Sequence, residues 1–170
     1  MLPESVVKEL QGMQPGSSVN LDAEGLLTTI PSAPRVPTKI CPDVSVLFCY
    51  ISNFGALVAR RSPVDLVKQL NVIFTAFDML VEDYGVYKVE AIAESYMISS
   101  GVPKPNPVHC QTLANAALAM RAMTRVGLFG KDIKLQIGIH TGMVAAGVVG
   151  TKSPSYHLFG DTVNVASRMC

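Results

Sequence analysis

The side chains able to do chemistry gather in three stretches of the chain. VYKVEAIAESYMISSG carries two carboxylates four residues apart, Glu90 and Glu94. FCYI sets a phenol, Tyr50, near the end of an apolar run, and YHLFGDTVNVASRM holds His157, Asp161, Asn164 and Arg168. Asn164 and Arg168 lie four apart on a helix expected to begin after Gly160-Asp161, so both project from one face. Asp161 is placed to cap that helix through the free N–H groups of its first turn. Taken alone, the Asn164 and Arg168 pair is an ordinary solvent-facing one. Glu90 is likewise an ordinary strand-edge carboxylate, and His140, on an apolar strand, a core histidine.

Other chemistries are excluded by spacing. Cys41, Cys49, Cys110 and Cys170 form no CxxC pair and have no partnering histidine pattern, which argues for free, mostly buried thiols in a reducing compartment. GIHTGMVAAGVVG and LFGDT are rich in glycine but match no phosphate-cradling loop of the Walker or dinucleotide type. Their glycines are expected to serve hairpin turns and close backbone approach at a two-fold interface.

The elements that must position these groups follow from periodicity. VSVLFCYI, from residue 44, is a continuous apolar run of strand length suited to the middle of a sheet. Ser62-Pro63 opens a helix in which Leu66, Val67, Leu70, Ile73, Phe74, Phe77, Leu80 and Val81 recur every three or four residues, and Gly85 ends it. Residues 86–101 read as a hairpin turning near Ala91 to Glu94. Pro107 begins a second helix, KLQIGIH alternates as a strand after the Gly127 to Gly130 break, and Val144 to Val149 and His157 to Phe159 add further strand material. Strand, helix, hairpin, helix, strand is the split βαβ order: an α+β, ferredoxin-like core with both helices on one face and the other left to a partner or a substrate. Residues 1–11 read as a short N-terminal helix, 12–43 as a Pro/Ser/Gly-rich arm and 44–170 as the domain proper.

Composition narrows the function. Lys plus Arg number 14 and Asp plus Glu 13, a net charge of +1, and only 16% of the 170 residues are charged against 49% apolar. A general nucleic-acid binder needs an excess of cations and is excluded. No apolar run reaches the roughly 18 residues of a membrane span, and MLPESVVKEL lacks a signal-peptide core, so a cytoplasmic location is expected, alone or within a larger or membrane-associated assembly.

With these elements in place, VYKVEAIAESYMISSG, IGIHTGMVAAGVVG and YHLFGDTVNVASRM together resemble the catalytic domain of class III nucleotidyl cyclases, most like the guanylate cyclases. The resemblance covers about residues 1–170, with the 12–43 arm longer than expected. It implies conversion of a nucleoside triphosphate to its 3′,5′-cyclic monophosphate plus pyrophosphate, at sites shared between two such domains. One domain holds two Mg or Mn ions; the other grips the base and the transition state. The positions matching the two metal aspartates are Tyr50 and Glu94, so the metal half is degenerate here and the cations are expected to be held mainly by a partner chain. Asn164 matches the asparagine that orients the ribose, and Arg168 the arginine that meets charge on the α-phosphate.

Glu90 stands where guanylate cyclases have their guanine-binding carboxylate, and His157 at the second base-contacting position, usually cysteine. A carboxylate suits the N1–H and N2–H of guanine, and an imidazole N–H can donate to O6. The expected function is a guanylate cyclase-type domain that binds GTP, supplies the base-binding and transition-state half of a shared site, and is inactive without a second cyclase domain as heterodimer partner. The alternative is a non-catalytic cyclase-fold module with a regulatory or scaffolding role. Family members continue past the position of Cys170, so the chain reads as truncated at its C-terminus.

Overall fold

A computed structural model describes residues 2–11, 38–130, 132–150 and 153–170. In chain order these form α1 (Glu4–Gln11), β1 (Thr38–Ile51), α2 (Phe54–Arg60), α3 (Pro63–Asp83), β2 (Tyr87–Ile92), β3 (Ser95–Ser100), α4 (His109–Arg125), β4 (Leu135–Val149), β5 (Ser155–Phe159) and α5 (Asp161–Arg168). The strands make one sheet in the order β2-β3-β1-β4-β5, with every neighbouring pair antiparallel. Its first four members with α3 and α4 are the expected split βαβ core of an α+β fold, and β5 extends one edge.

β1 is central and is buried on both sides by alternation. Leu47, Cys49 and Ile51 face α3 and α4, meeting Ile73, Phe77, Leu113, Ala116 and Met120. Phe77 stands edge-on to Tyr96 and Phe129, with ring centroids 5.3 and 5.9 Å away. α3 starts as its sequence requires: Ser62 caps it, its Oγ accepting from the Asp65 N–H at 3.1 Å, and Pro63 fills the first turn. Gly85, at φ 61°, ends it.

The opposite face corrects an expectation. Val44, Val46, Phe48, Val144, Ala146 and Val148 are covered by the chain itself, through Val6 of α1 and Ala166 of α5, so this face is not left bare for a partner. α5 lies close because β4 presents Gly138 and Gly142 beneath it. A Cβ on Gly138 would collide with the Ala166 carbonyl, and one on Gly142 would stand 2.7 Å from Thr162 Oγ1. GIHTG is therefore not a turn but part of one continuous strand, and its glycines admit a helix of the same chain.

Other boundaries shift in ways the sequence hid. β1 begins at Thr38, so residues 38–43 belong to the sheet rather than to the arm, and a register shift at Cys41/Val44 absorbs Pro42 and Asp43. Residues 12–37 of the expected arm lie outside the described residues. α2 was not anticipated; none of its residues is fully buried, so it leaves no strong periodic signal. α4 starts at His109 rather than Pro107, and the hairpin turns at Ala93 and Glu94. His140 is half-buried, opposite Val46 on the face that α5 covers, not a core residue.

The four cysteines are free, Cys41 and Cys49 buried, Cys170 half-buried and Cys110 exposed. Burial, then the nearby Cys170, pushes the Cys49 thiol from 9.0 up to about 12. The folded state thus holds the neutral thiol more firmly than the unfolded chain. The resulting stability is whole below pH 9 and is lost as pH rises from 9 toward 12, at a slope approaching about 1.4 kcal/mol per pH unit. Tyr96, raised by burial and then by its hydrogen bond to Asp78, adds in the same direction above pH 10. Urea midpoints are expected to fall between pH 9 and 10.5, less steeply in Cys49→Ala; equal slopes for the two chains would contradict this.

Candidate active site

Tyr50 and Glu94 lie at adjoining backbone positions. Tyr50 sits opposite Ser95 across the β1–β3 pairing, and the Ile51 N–H donates to the Glu94 carbonyl at 3.1 Å. The hairpin carrying Glu94 is fixed from the helical side: Lys88 Nζ lies 2.6 Å from Asp78 Oδ1 on α3, and the Tyr96 hydroxyl donates to the same oxygen at 2.5 Å. Ala93, at φ 50°, makes the tight turn that presents the half-buried Glu94.

This pair does not form a two-metal site. Tyr50 alternates with Ile51 and faces α5, where its ring stacks on Phe48 at 6.0 Å with 8° between planes. Its hydroxyl is 3.3 Å from Ser167 Oγ. The phenol is engaged in packing, and Glu94 is left as a lone carboxylate. Among the described residues no group of three or more His, Cys, Asp or Glu side chains could hold a metal ion. A hard divalent cation wants several oxygen ligands, with anionic ones foremost, and these residues do not offer them.

Asn164 and Arg168 project together from α5 and are both exposed. The buried side of that helix is Thr162 and Ala166. Thr162 Oγ1 donates to the Met143 carbonyl at 2.7 Å, latching the first turn to β4, and the Cys170 thiol donates to the Phe48 carbonyl at 3.3 Å just beyond the last turn. The cap differs from expectation. Gly160, at φ 137°, occupies the N-cap position with no side-chain cap bond, and Asp161 is an exposed first-turn residue whose charge faces the positive end of the helix. Thr162 and its glycine platform were not singled out from sequence. The signal available was the spacing of Gly138 and Gly142, an even number apart and so on one face of a strand.

Glu90 and His157 lie on the two edge strands. A bulge between Lys88 and Glu90 brings Glu90 opposite Met97, onto the face that α5 covers. The edges converge across that face, where the Tyr87 and Tyr156 rings meet at 5.6 Å, nearly perpendicular. His157 alternates with the buried Tyr156 and Leu158, so its ring turns to the outer face beside Phe159, centroids 6.2 Å apart. Both residues are half-buried, and among the described residues no hydrogen bond or ion pair joins them. One end of the sheet therefore carries an exposed amide and guanidinium on a firmly seated helix and, close by, the packed phenol of Tyr50.

This chain is 45% identical over 128 residues to guanylate cyclase soluble subunit beta-2 of Rattus norvegicus, covering 74% of this chain and 19% of that protein. It is 38% identical over 178 residues to receptor-type guanylate cyclase gcy-23 of Caenorhabditis elegans, covering 98% of this chain and 17% of that protein. It thus spans under a fifth of the length of these relatives. Among solved structures it is similar to the guanylate cyclase domain of RhGC from Catenaria anguillulae in complex with GTP, with a TM-score of 0.73, 37% identity and coverage of 76% of this chain and 72% of that one. A non-canonical dimeric guanylyl cyclase domain of the RhoGC fusion protein from Blastocladiella emersonii gives a TM-score of 0.73 at 36% identity, covering 78% of this chain and 75% of that one. No helix among the described residues is long and apolar enough to cross a membrane. Residues 36–170 match the adenylate and guanylate cyclase catalytic domain, and with that match, these relatives and the split βαβ core, the chain belongs to the class III nucleotidyl cyclase family, close to the guanylate cyclases.

Proposed function

We propose that this chain supplies the base-binding and transition-state half of a heterodimeric guanylate cyclase site, and that the divalent cations belong to a partner domain with an intact pair of metal aspartates. The observation that carries the reading is the contrast within one end of the sheet: Tyr50 is committed to Phe48 and Ser167, while Asn164 and Arg168 remain exposed on one face of α5. The GTP bound to the similar Catenaria domain makes GTP the substrate to test first. In this reading the 3′-oxygen of GTP bonds to the α-phosphorus and pyrophosphate leaves. Asn164 orients the ribose, and Arg168 meets the charge that grows on the α-phosphate oxygens. Glu90 accepts from the guanine N1–H and N2–H.

A symmetric pair of these chains would draw both metal positions from Tyr50 and Glu94. The chain alone, homodimer included, is therefore expected to form no cyclic GMP with Mg or Mn. Mixed with a cyclase domain that has both metal aspartates, it is expected to bind a non-hydrolysable GTP analogue and to support turnover. Cyclic GMP made by the chain alone and abolished by Arg168→Ala would overturn the reading. The second reading, a cyclase-fold module without catalysis, draws support from one observation: His157 and Glu90 lie on opposite faces of the sheet. Assembly with a partner but no nucleotide binding would favour it.

A further inference from the structure

A separate cleft opens under α2, between its C-terminal end and the segment entering β4. It has a volume of about 580 Å³, and its charged lining is Arg60, Arg61, Lys134 and Asp132, with Ser52 and Asn53 beside them. Three cations against one carboxylate make this one cavity +2 in a chain whose total charge is +1. Among the described residues none of the three cations is ion-paired; the ion pair there is Lys88–Asp78, on another part of the surface.

Arg61 is also held in place. Its Nη1 donates to Gln69 Oε1 at 2.9 Å, and the Gln69 amide donates to the Phe129 carbonyl at 3.1 Å. The half-buried guanidinium is thereby oriented while its other N–H groups stay unspent. Lys134 is tied at its backbone, its carbonyl accepting from the Ser52 N–H at 2.8 Å. Gathering three cations around a single carboxylate is unfavourable unless an anion joins them, and a fixed guanidinium fork with flanking cations suits phosphate oxygens. The volume admits more than one phosphate group.

We propose that this cleft binds an anion bearing at least two linked phosphates, through Arg60, Arg61 and Lys134 and without a metal ion. None of Glu90, His157, Asn164 or Arg168 lines it, so the proposal stands apart from the base-and-arginine reading. The test is calorimetric titration of the full chain with inorganic pyrophosphate, and separately with tripolyphosphate, in EDTA at low and moderate salt. Binding is expected in EDTA and should weaken as salt rises. Arg60→Glu and Lys134→Glu, at exposed positions, should each weaken it about tenfold or more, with thermal unfolding unchanged. Arg61→Lys, which keeps the charge and loses the fork, should weaken it as well. A GTP analogue that displaces pyrophosphate in EDTA would assign the cleft to the phosphate tail of a nucleotide; simultaneous binding would assign it to a separate phosphorylated ligand. No binding of either polyphosphate at low salt, or equal binding by both charge-reversed variants, would overturn the proposal.

Discussion

Replacing Arg168 with alanine is expected to cut cyclic GMP formation by the assembled heterodimer about 10²-fold or more, as removal of a preorganised transition-state donor does. In the proposed reading the loss falls on kcat, because the charge that Arg168 would meet grows only as the α-phosphorus is attacked. Assembly should be unaffected. Arg168 is exposed at the last turn of α5, and the contacts that seat this helix come from Thr162 and Ala166 on its other side. Alanine is the best helix former, so the helix itself is not weakened. Steady-state kinetics of the variant complex, with co-elution of the two chains as the control for assembly, checks this. Full activity of the Arg168→Ala complex would show that this half contributes no chemistry, and the module reading would then be the better one.

The fold was legible where burial imposes a period. β1 from Val44 onward is apolar apart from the buried Ser45 because both faces are covered, and the 3.6-residue recurrence from Leu66 to Val81 is what α3 needs to lay Ile73 and Phe77 on the sheet. Where burial is weak the sequence said little. α2 buries none of its residues fully, and Thr38 to Ile40 are exposed although they pair with β4, so neither announced itself.

The reading of the glycines failed for a different reason. A glycine that admits a turn and one that admits a helix are the same letter, and only the third dimension separates Gly85, at φ 61°, from Gly138, which lies under the Ala166 carbonyl. Assigning the close approach to a two-fold interface also hid the seat of α5, and with it the cover over the second face of the sheet. The argument that this face needs a partner falls with it. The proposed partner rests instead on the residues at positions 50 and 94, not on bare apolar surface.

The candidate site was legible to the extent that it is local. Asn164 and Arg168 share a helix face by spacing alone, whereas Tyr50 and Glu94 are brought to adjoining backbone positions only by the β1–β3 register. Glu90 and His157 depend on a bulge and on the curl of two sheet edges, which no spacing records. The cationic cleft was missed because Arg60, Arg61 and Lys134 are more than seventy positions apart in sequence at their extremes and meet only where β1 ends and β4 begins.

Tyr50→Asp combined with Glu94→Asp is expected to create divalent-cation binding that the starting chain lacks. The backbones of the two positions already adjoin, since Ile51 and Glu94 are joined by a backbone hydrogen bond, so in the proposed reading the change needed is in the donor atoms. A carboxylate at 50 replaces a phenol committed to Phe48 and Ser167, and the shorter side chain at 94 draws the second carboxylate back toward the strand ends. Two convergent anionic oxygen ligands should tighten Mn or Mg by about tenfold or more over a single carboxylate. The substitution has a cost of its own. The stacking of Tyr50 on Phe48 is lost and a charge enters a half-buried position, so the apo double variant should unfold at lower urea by about 1–3 kcal/mol. Added Mn should then recover stability in the double variant and not in the parent, because a ligand that binds only the folded state raises its stability in proportion to the logarithm of ligand concentration. Calorimetry with Mn, read beside that unfolding series, separates the two effects. If the double variant gains neither heat of binding nor metal-dependent stability, the metal half fails for a reason other than its ligands.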